Sequence, residues 1–412
     1  MNTEIKNRRY SSRYSKPVLL FMLAYFIAFS SDFISMTMFV QKLPGMFFKG
    51  MTLLSIAISI YKIYFFDTFK RKEIIIYFTI LVILLADYFK YGGFVFLQLF
   101  ILAIAARDID RHTILKFSAV YLFISIFLIF CLSELGVVDN LLFIRYLNGR
   151  QIIRQSFGTI YPTVFGSMIY FFVLQFVYIK KNNSYSSVFF IAIVALVINK
   201  YTDNRLVFLL LIFLIAYIIL NNIFNIEKNN SRVFTSIMKY TFLTFSIIIP
   251  IIFVYLCYNY NPSSRFYYEL NKLLSNRVYL SWKGFQDYPI TLFGQKVAQN
   301  GWGGLKEVSV GFVYFYLDSL PIKLLLSNGI FMFIIYIVYN FSYLKVLFRN
   351  KNIRLAVIII FIIAYDIIDE KSIRVSLNPF LILSLGYIFD YQKIKNDSSD
   401  IKGFEDKKGI ML

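Results

Sequence analysis

The sequence predicts an all-α polytopic membrane protein, and three observations carry the prediction. Hydrophobic side chains make up 58% of the 412 residues and charged ones only 16%. Mean hydropathy is +0.65. The apolar residues fall in blocks of roughly twenty that recur from Pro17 to Tyr391, the length at which a helix crosses a hydrocarbon core of about 30 Å. This composition excludes an ordinary soluble enzyme. The net charge of +20 would suggest nucleic acid in a soluble chain. Here the cations sit in short connections, where they orient the chain and meet anionic lipid, so no nucleic-acid partner is expected. The 32 Tyr and 47 Phe suit lipid contact and interface belts.

Taken in order, the basic start up to Lys16 is followed by an apolar stretch without a small-residue cleavage site, which predicts a retained first span. About twelve spans follow from the polar breaks: 17–35, 45–66, 73–89, 92–106, 113–133, 159–179, 187–200, 205–222, 238–258, 321–344, 355–369 and 377–391. The fourth, seventh, eleventh and twelfth are short, and are expected to be tilted, broken or extended by polar flanks. With the amino terminus inside, the inner connections carry 24 Lys and Arg and the outer ones 16, which satisfies the positive-inside rule. The expectation is one transmembrane domain over 1–391 in the cytoplasmic membrane, both termini cytoplasmic, with a polar tail at 392–412. Cys131 and Cys257 lie in apolar blocks and predict neither disulfide nor thiolate metal site.

Nine of the 16 outer cations occur in two connections, 134–158 and 259–320, the only long ones. The second is too aromatic for a disordered loop, and its stretch from Ser264 to Gly294 reads as an amphipathic helical piece followed by a Pro-Gly turn. It predicts a folded element resting on the membrane. The chain has no visible internal repeat, which weighs against a transporter built from inverted halves.

Candidate chemistry concentrates on that predicted outer face. Arg145, Arg150 and Arg154 precede the sixth span. If their stretch is helical, Arg150 and Arg154 share a face and present two guanidinium forks, which suits a pyrophosphate; interfacial anchoring is the other reading. Arg205 either pairs with Asp203 or serves a site at the membrane edge. Arg265 and Arg277 with Trp282, ahead of the Gly301–Gly304 stretch, combine cations with ring faces as a sugar site does, and as any interfacial helix does. Asp318 and Asp32 stand at span ends, as general bases or as helix caps. Asp366, Asp369 and Glu370 suit a proton relay, or pairing with Lys371 and Arg374. The only histidine, His112, falls in a predicted inner connection, so neither zinc chemistry nor Ser-His catalysis is expected on the outer face, and no metal or cofactor is predicted.

Four stretches resemble the O-antigen and capsule polysaccharide polymerases of the O-antigen ligase and polymerase superfamily. They are RQSFGTIYPTVFG at 154–166, YTDNRLVFLLL at 201–211, NRVYLSWKGFQDYPITLFG at 276–294 and LDSLPIKLLLSNGIF at 317–331. Tyr161 and Thr163 stand where the family usually has His and Asn beside the proline, and Asn204 where it has a small polar residue. The ligases generally need a histidine in the large loop, which this chain lacks, so polymerase is the closer resemblance.

The resemblance implies an integral-membrane glycosyltransferase of the GT-C type. It would join oligosaccharide repeat units carried on undecaprenyl pyrophosphate, without a nucleotide sugar, alongside a flippase and a chain-length regulator. It further implies that Arg150, Arg154, Arg205 and Arg277 hold pyrophosphate, that Tyr161 and Trp282 contact substrate, and that Asp318 is the base. The competing expectations are a lipid-linked oligosaccharide flippase, a ligase of the same superfamily, or an envelope assembly partner.

Overall fold

Backbone amides in hydrocarbon must bond within their own segment, so each apolar block has one economical solution, a helix. A computed structural model describes residues 15–147, 150–180, 184–228, 231–305 and 311–388. The expected polar tail at 392–412 lies outside the described residues. In order the helices are α1 (Lys16–Ser35), α2 (Gly45–Phe66), α3 (Arg71–Tyr91), α4 (Val95–Ala105), α5 (Arg111–Glu134), α6 (Pro162–Ile179), α7 (Tyr185–Thr202), α8 (Arg205–Phe224) and α9 (Arg232–Tyr258). There follow α10 (Arg265–Leu273), α11 (Arg277–Asp287), α12 (Leu320–Lys323), α13 (Ile330–Arg349), α14 (Ile353–Asp366) and α15 (Pro379–Ile388).

Local chemistry sets the ends. Proline occupies the first turn of α1 and α6, where its missing amide costs nothing. The Asp110 carboxylate accepts from the Thr113 amide at 2.8 Å to start α5, and the Asn352 side chain accepts from the Leu355 amide at 3.2 Å to start α14.

Among the described residues nine helices are long and apolar enough to cross a membrane, consistent with a polytopic membrane protein. Each of the twelve expected stretches contains helix, but α4 and α14 have only 11 and 14 residues, and α15 is also short. The tenth stretch is interrupted. Its first part, α12, runs into a widened turn at Leu324–Asn328, and the chain breaks at Gly329 before α13.

The packing is centred on α6, of whose apolar window 67% is buried, against 17% for α3 and 22% for α2. Ser167 and Tyr365 share a 2.6 Å hydrogen bond between α6 and α14, and the Gln175 amide donates to the Leu377 carbonyl at 2.9 Å. The peripheral helices turn large apolar side chains such as Phe78 and Phe89 outward, as contact with lipid tails requires. Where α2, α3 and α4 meet, Lys62 is fully buried and donates to Asp67 at 2.6 Å and to the Ala105 carbonyl at 2.7 Å.

The departure from an all-helical fold is a hairpin of β1 (Leu142–Leu147) and β2 (Arg150–Gln155), antiparallel, with Leu147 opposite Arg150 and Phe143 opposite Arg154. The conditional helix through Arg150 and Arg154 is therefore corrected to strand. Its cause is local: an Asn-Gly pair, here at 148–149 between two short runs that carry β-branched and aromatic residues, is the strongest short hairpin signal a sequence carries.

The register keeps what the helical reading needed, because positions four apart in a strand also share a face. One face holds positions 145, 150 and 154; the other holds Leu142, Ile144 and Ile153, all exposed.

Candidate functional site

At the end of the bundle where α6 and α8 begin and α7 and α14 finish, two groups of charged side chains form. The first is organised by Asp203, which terminates α7 in a left-handed conformation with φ of 45°. Its carboxylate meets Arg145 Nη1 at 2.9 Å and Arg205 Nε at 3.5 Å. Arg145 also donates to Ser275 Oγ at 2.9 Å, so one guanidinium ties the hairpin to the α7–α8 junction and to the α10–α11 turn.

Arg154 is buried and does something different. Its Nε donates to the Thr202 carbonyl at 2.9 Å, capping the carboxyl end of α7, and its Nη1 donates to Tyr161 Oη at 3.3 Å. Arg145 and Arg205 share one carboxylate and Arg154 lies within electrostatic reach of Arg145, so three cations and one carboxylate leave the group two charges positive.

Arg205 occupies the first position of α8, where the helix dipole already presents positive charge and disfavours a cation. Asp203 offsets only part of this. The Nη2 of Arg205 is enclosed and makes no hydrogen bond, although 37% of the side chain is exposed. A guanidinium with an idle donor beside a helix amino terminus is an arrangement that favours an anion.

In the second group Arg277, the first residue of α11, places Nε 3.3 Å from Asp318 Oδ2. Lys371 pairs with Asp369 at 2.7 Å nearby, so this group is balanced in charge. Burial pushes the Asp318 carboxyl above the ordinary carboxylate range; Arg277 opposes this and Asp369 adds to it. For Arg277 burial works against the charge, and Asp318 with Asp369 outweighs it, so the guanidinium is held more firmly charged than usual.

Tyr161 and Tyr314 connect the groups. The phenol of Tyr161 touches Arg154, while Tyr314 lies within electrostatic reach of Asp318, Arg277 and Tyr161. The long connection covers this region. The Gly304 amide donates to the Ile160 carbonyl at 2.8 Å beside Tyr161, and Trp302 stacks on Tyr314 with ring centres 5.8 Å apart.

The structure thus brings together Arg154, Arg205 and Tyr161 in one group and Arg277 with Asp318 in the other. Trp282 is placed apart from both, in an aromatic cluster with Tyr260 and Tyr279 at 5.9 Å each. Arg150 begins β2, and its side chain lies outside the described residues. Asp32 accepts from Arg374 at 3.1 Å and from Ser376 Oγ at 2.6 Å, a joint between α1 and the α14–α15 connection. Asp366 accepts from Tyr336 at 3.0 Å, while Glu370 engages Lys323 and Tyr316, so the three carboxylates at the end of α14 are each separately partnered. Sequence reasoning missed the tie made by Arg145. Its signal was the Asn-Gly pair in the sequence, because a hairpin closed by two residues puts position 145 on the same face as position 154.

Many-spanned helical membrane proteins are the class with which this fold is consistent. Set against family models, curated proteins and solved structures, the chain matches none.

Proposed function

We propose that the chain is a polysaccharide polymerase of the bacterial cytoplasmic membrane, joining repeat units carried on undecaprenyl pyrophosphate at its outer surface. One observation carries the reading: a group with two uncompensated positive charges around Asp203 adjoins a half-buried carboxyl held by Arg277, both under the same connection. In this reading all twelve helical stretches cross, α12 to α13 as one broken span. Both termini are then cytoplasmic, and 259–320 is the large extracytoplasmic loop.

The chemistry follows from where charge develops. As the bond from sugar C1 to pyrophosphate breaks, negative charge grows on the leaving oxygen. Cations fixed in advance stabilise that state more than the ground state. Arg205, with 37% of its side chain exposed beside the amino terminus of α8, is the residue assigned to the leaving pyrophosphate, and Arg150, a position on the same hairpin face as Arg145, is assigned with it. Arg154, buried beneath, positions α7 and Tyr161. Asp318, with its affinity for protons raised by burial, accepts the proton of the incoming hydroxyl. Arg277 keeps that carboxyl oriented and serves a diphosphate nearby. Trp282 contacts glycan at the margin of the loop.

The test is extension of synthetic undecaprenyl-pyrophosphate-linked units by the purified protein in nanodiscs, read as a product ladder. A ladder that Arg205→Lys reduces at least about 100-fold supports the reading, since loss of one preorganised donor typically has that size. Wild-type protein that moves these lipids across a bilayer without elongating them favours the flippase instead.

A further inference from the structure

We infer that a cavity of about 130 Å³ beside the break in the tenth stretch is a binding site for a single neutral sugar. Its place in the reaction, as the subsite for a sugar of a lipid-linked unit, rests on the reading above. The cavity is several times the roughly 30 Å³ that a water occupies. It lies between the α3–α4 junction, the widened turn before Gly329 and the connection after α14.

Three properties select the ligand. The first is an acceptor in need of a donor. Asn328, which lines the cavity and is 1% exposed, commits its amide nitrogen to Asp87 Oδ1 at 2.9 Å, and its carbonyl oxygen has no partner. A ligand hydroxyl satisfies such an oxygen, whereas an anion repels it.

The second is charge balance. Lys323 and Arg374 line the cavity, but Glu370 neutralises the one and Asp32, 3.1 Å from Arg374, the other. Unlike the group around Asp203, this lining offers no surplus positive charge to a phosphate. A lining that holds both donors and acceptors suits hydroxyls, each of which both donates and accepts. The third is apolar surface: Tyr91 and Phe96 are among the lining residues, and aromatic rings suit the C–H side of a pyranose. The cavity also adjoins the proposed base, because Leu320 in its wall follows Asp318 closely and Glu370 is within electrostatic reach of Asp318.

The experiment is saturation-transfer NMR on the full chain in nanodiscs with a panel of methyl glycosides of common hexoses and N-acetylhexosamines. At least one glycoside is expected to receive saturation. The effect should weaken roughly tenfold in affinity in Asn328→Ala, by loss of one hydrogen bond to a buried acceptor, and vanish in Val95→Trp, which fills the cavity. Sodium pyrophosphate at equal concentration should leave it unchanged. Absence of transfer from the whole panel, wild-type binding by folded Val95→Trp, or displacement by pyrophosphate each overturns the inference. Should Asn328→Ala fail to fold, Val95→Trp decides. The two readings separate: glycoside binding without chain extension overturns the polymerase and leaves the sugar site, while extension by Val95→Trp at the wild-type rate does the reverse.

Discussion

Arg277 and Asp318 meet with Nε 3.3 Å from Oδ2, although one opens α11 in the first half of the long connection and the other stands near its end. The pair therefore ties two parts of that connection together and opposes the effect of burial on the carboxyl proposed as base.

A pH dependence follows from the direction of the Asp318 shift. Burial raises its affinity for protons more than Arg277 lowers it. A base works only when deprotonated, so activity should fall on the acid side at a pH above the ordinary carboxylate range. Arg277→Gln removes the opposing influence and should move that acid limb to still higher pH, measured as initial elongation rate against pH. For stability the sign is opposite. A carboxyl whose folded value is raised contributes stability below its unfolded value, and this is lost as pH rises through the folded value. Asp318→Asn should accordingly melt no lower than wild type at pH 7 while losing elongation.

The Asp203 junction separates two kinds of arginine. Arg145 is bonded at Nη1 and Nη2 to different elements, whereas Arg205 keeps Nη2 free of hydrogen bonds. Arg145→Met should therefore lower thermal stability by about 2 kcal/mol, as loss of charge-assisted hydrogen bonds implies. Arg205→Met should leave the melting temperature within about 2 °C of wild type and abolish elongation. Differential scanning fluorimetry beside the product ladder checks both; equal destabilisation by the two variants would remove the distinction.

Gly294 and Gly329 form a backbone contact with no room for a side chain. Both have positive φ, and a Cβ on Gly329 would collide with the Gly294 amide and the Leu292 carbonyl, neither of which can turn aside. Around them the Gln295 amide donates to the Ser327 carbonyl and the Ile330 amide to the Thr291 carbonyl, both at 2.9 Å, stitching the long connection to the broken span. Gly329→Ala should sharply reduce the yield of folded protein. Gly136→Ala, also at positive φ but in open space, should cost about 1 kcal/mol. Monodisperse yield in size-exclusion chromatography reads the difference.

The helices were legible in the sequence because lipid imposes one rule on every span: apolar length decides, and each of the twelve stretches does contain helix. The hairpin was legible in principle at Asn148-Gly149, but the spacing of Arg150 and Arg154 fits either period. The partners were not legible. That Arg154 caps α7 through the Thr202 carbonyl, or that Arg145 reaches Ser275, depends on how separate segments pack, which no local pattern encodes. The pairing of Arg205 with Asp203 was readable from adjacency alone; the idle Nη2 was not.

The same dependence on packing makes Lys62 and Asp67 a test of how charge is tolerated at the opposite end of α2. Both side chains are at most 1% exposed, and they meet at 2.6 Å. Removing one partner strands the other without water, which typically costs about 3 to 5 kcal/mol. Replacing both with apolar residues removes the desolvation together with the attraction. Lys62→Met alone should therefore melt well below wild type, and adding Asp67→Leu should restore most of the loss. The coupling in that double-mutant cycle is read from thermal melts in nanodiscs. A double variant as unstable as the sum of its single changes would mean that Lys62 acts mainly through the Ala105 carbonyl, to which it also donates at 2.7 Å.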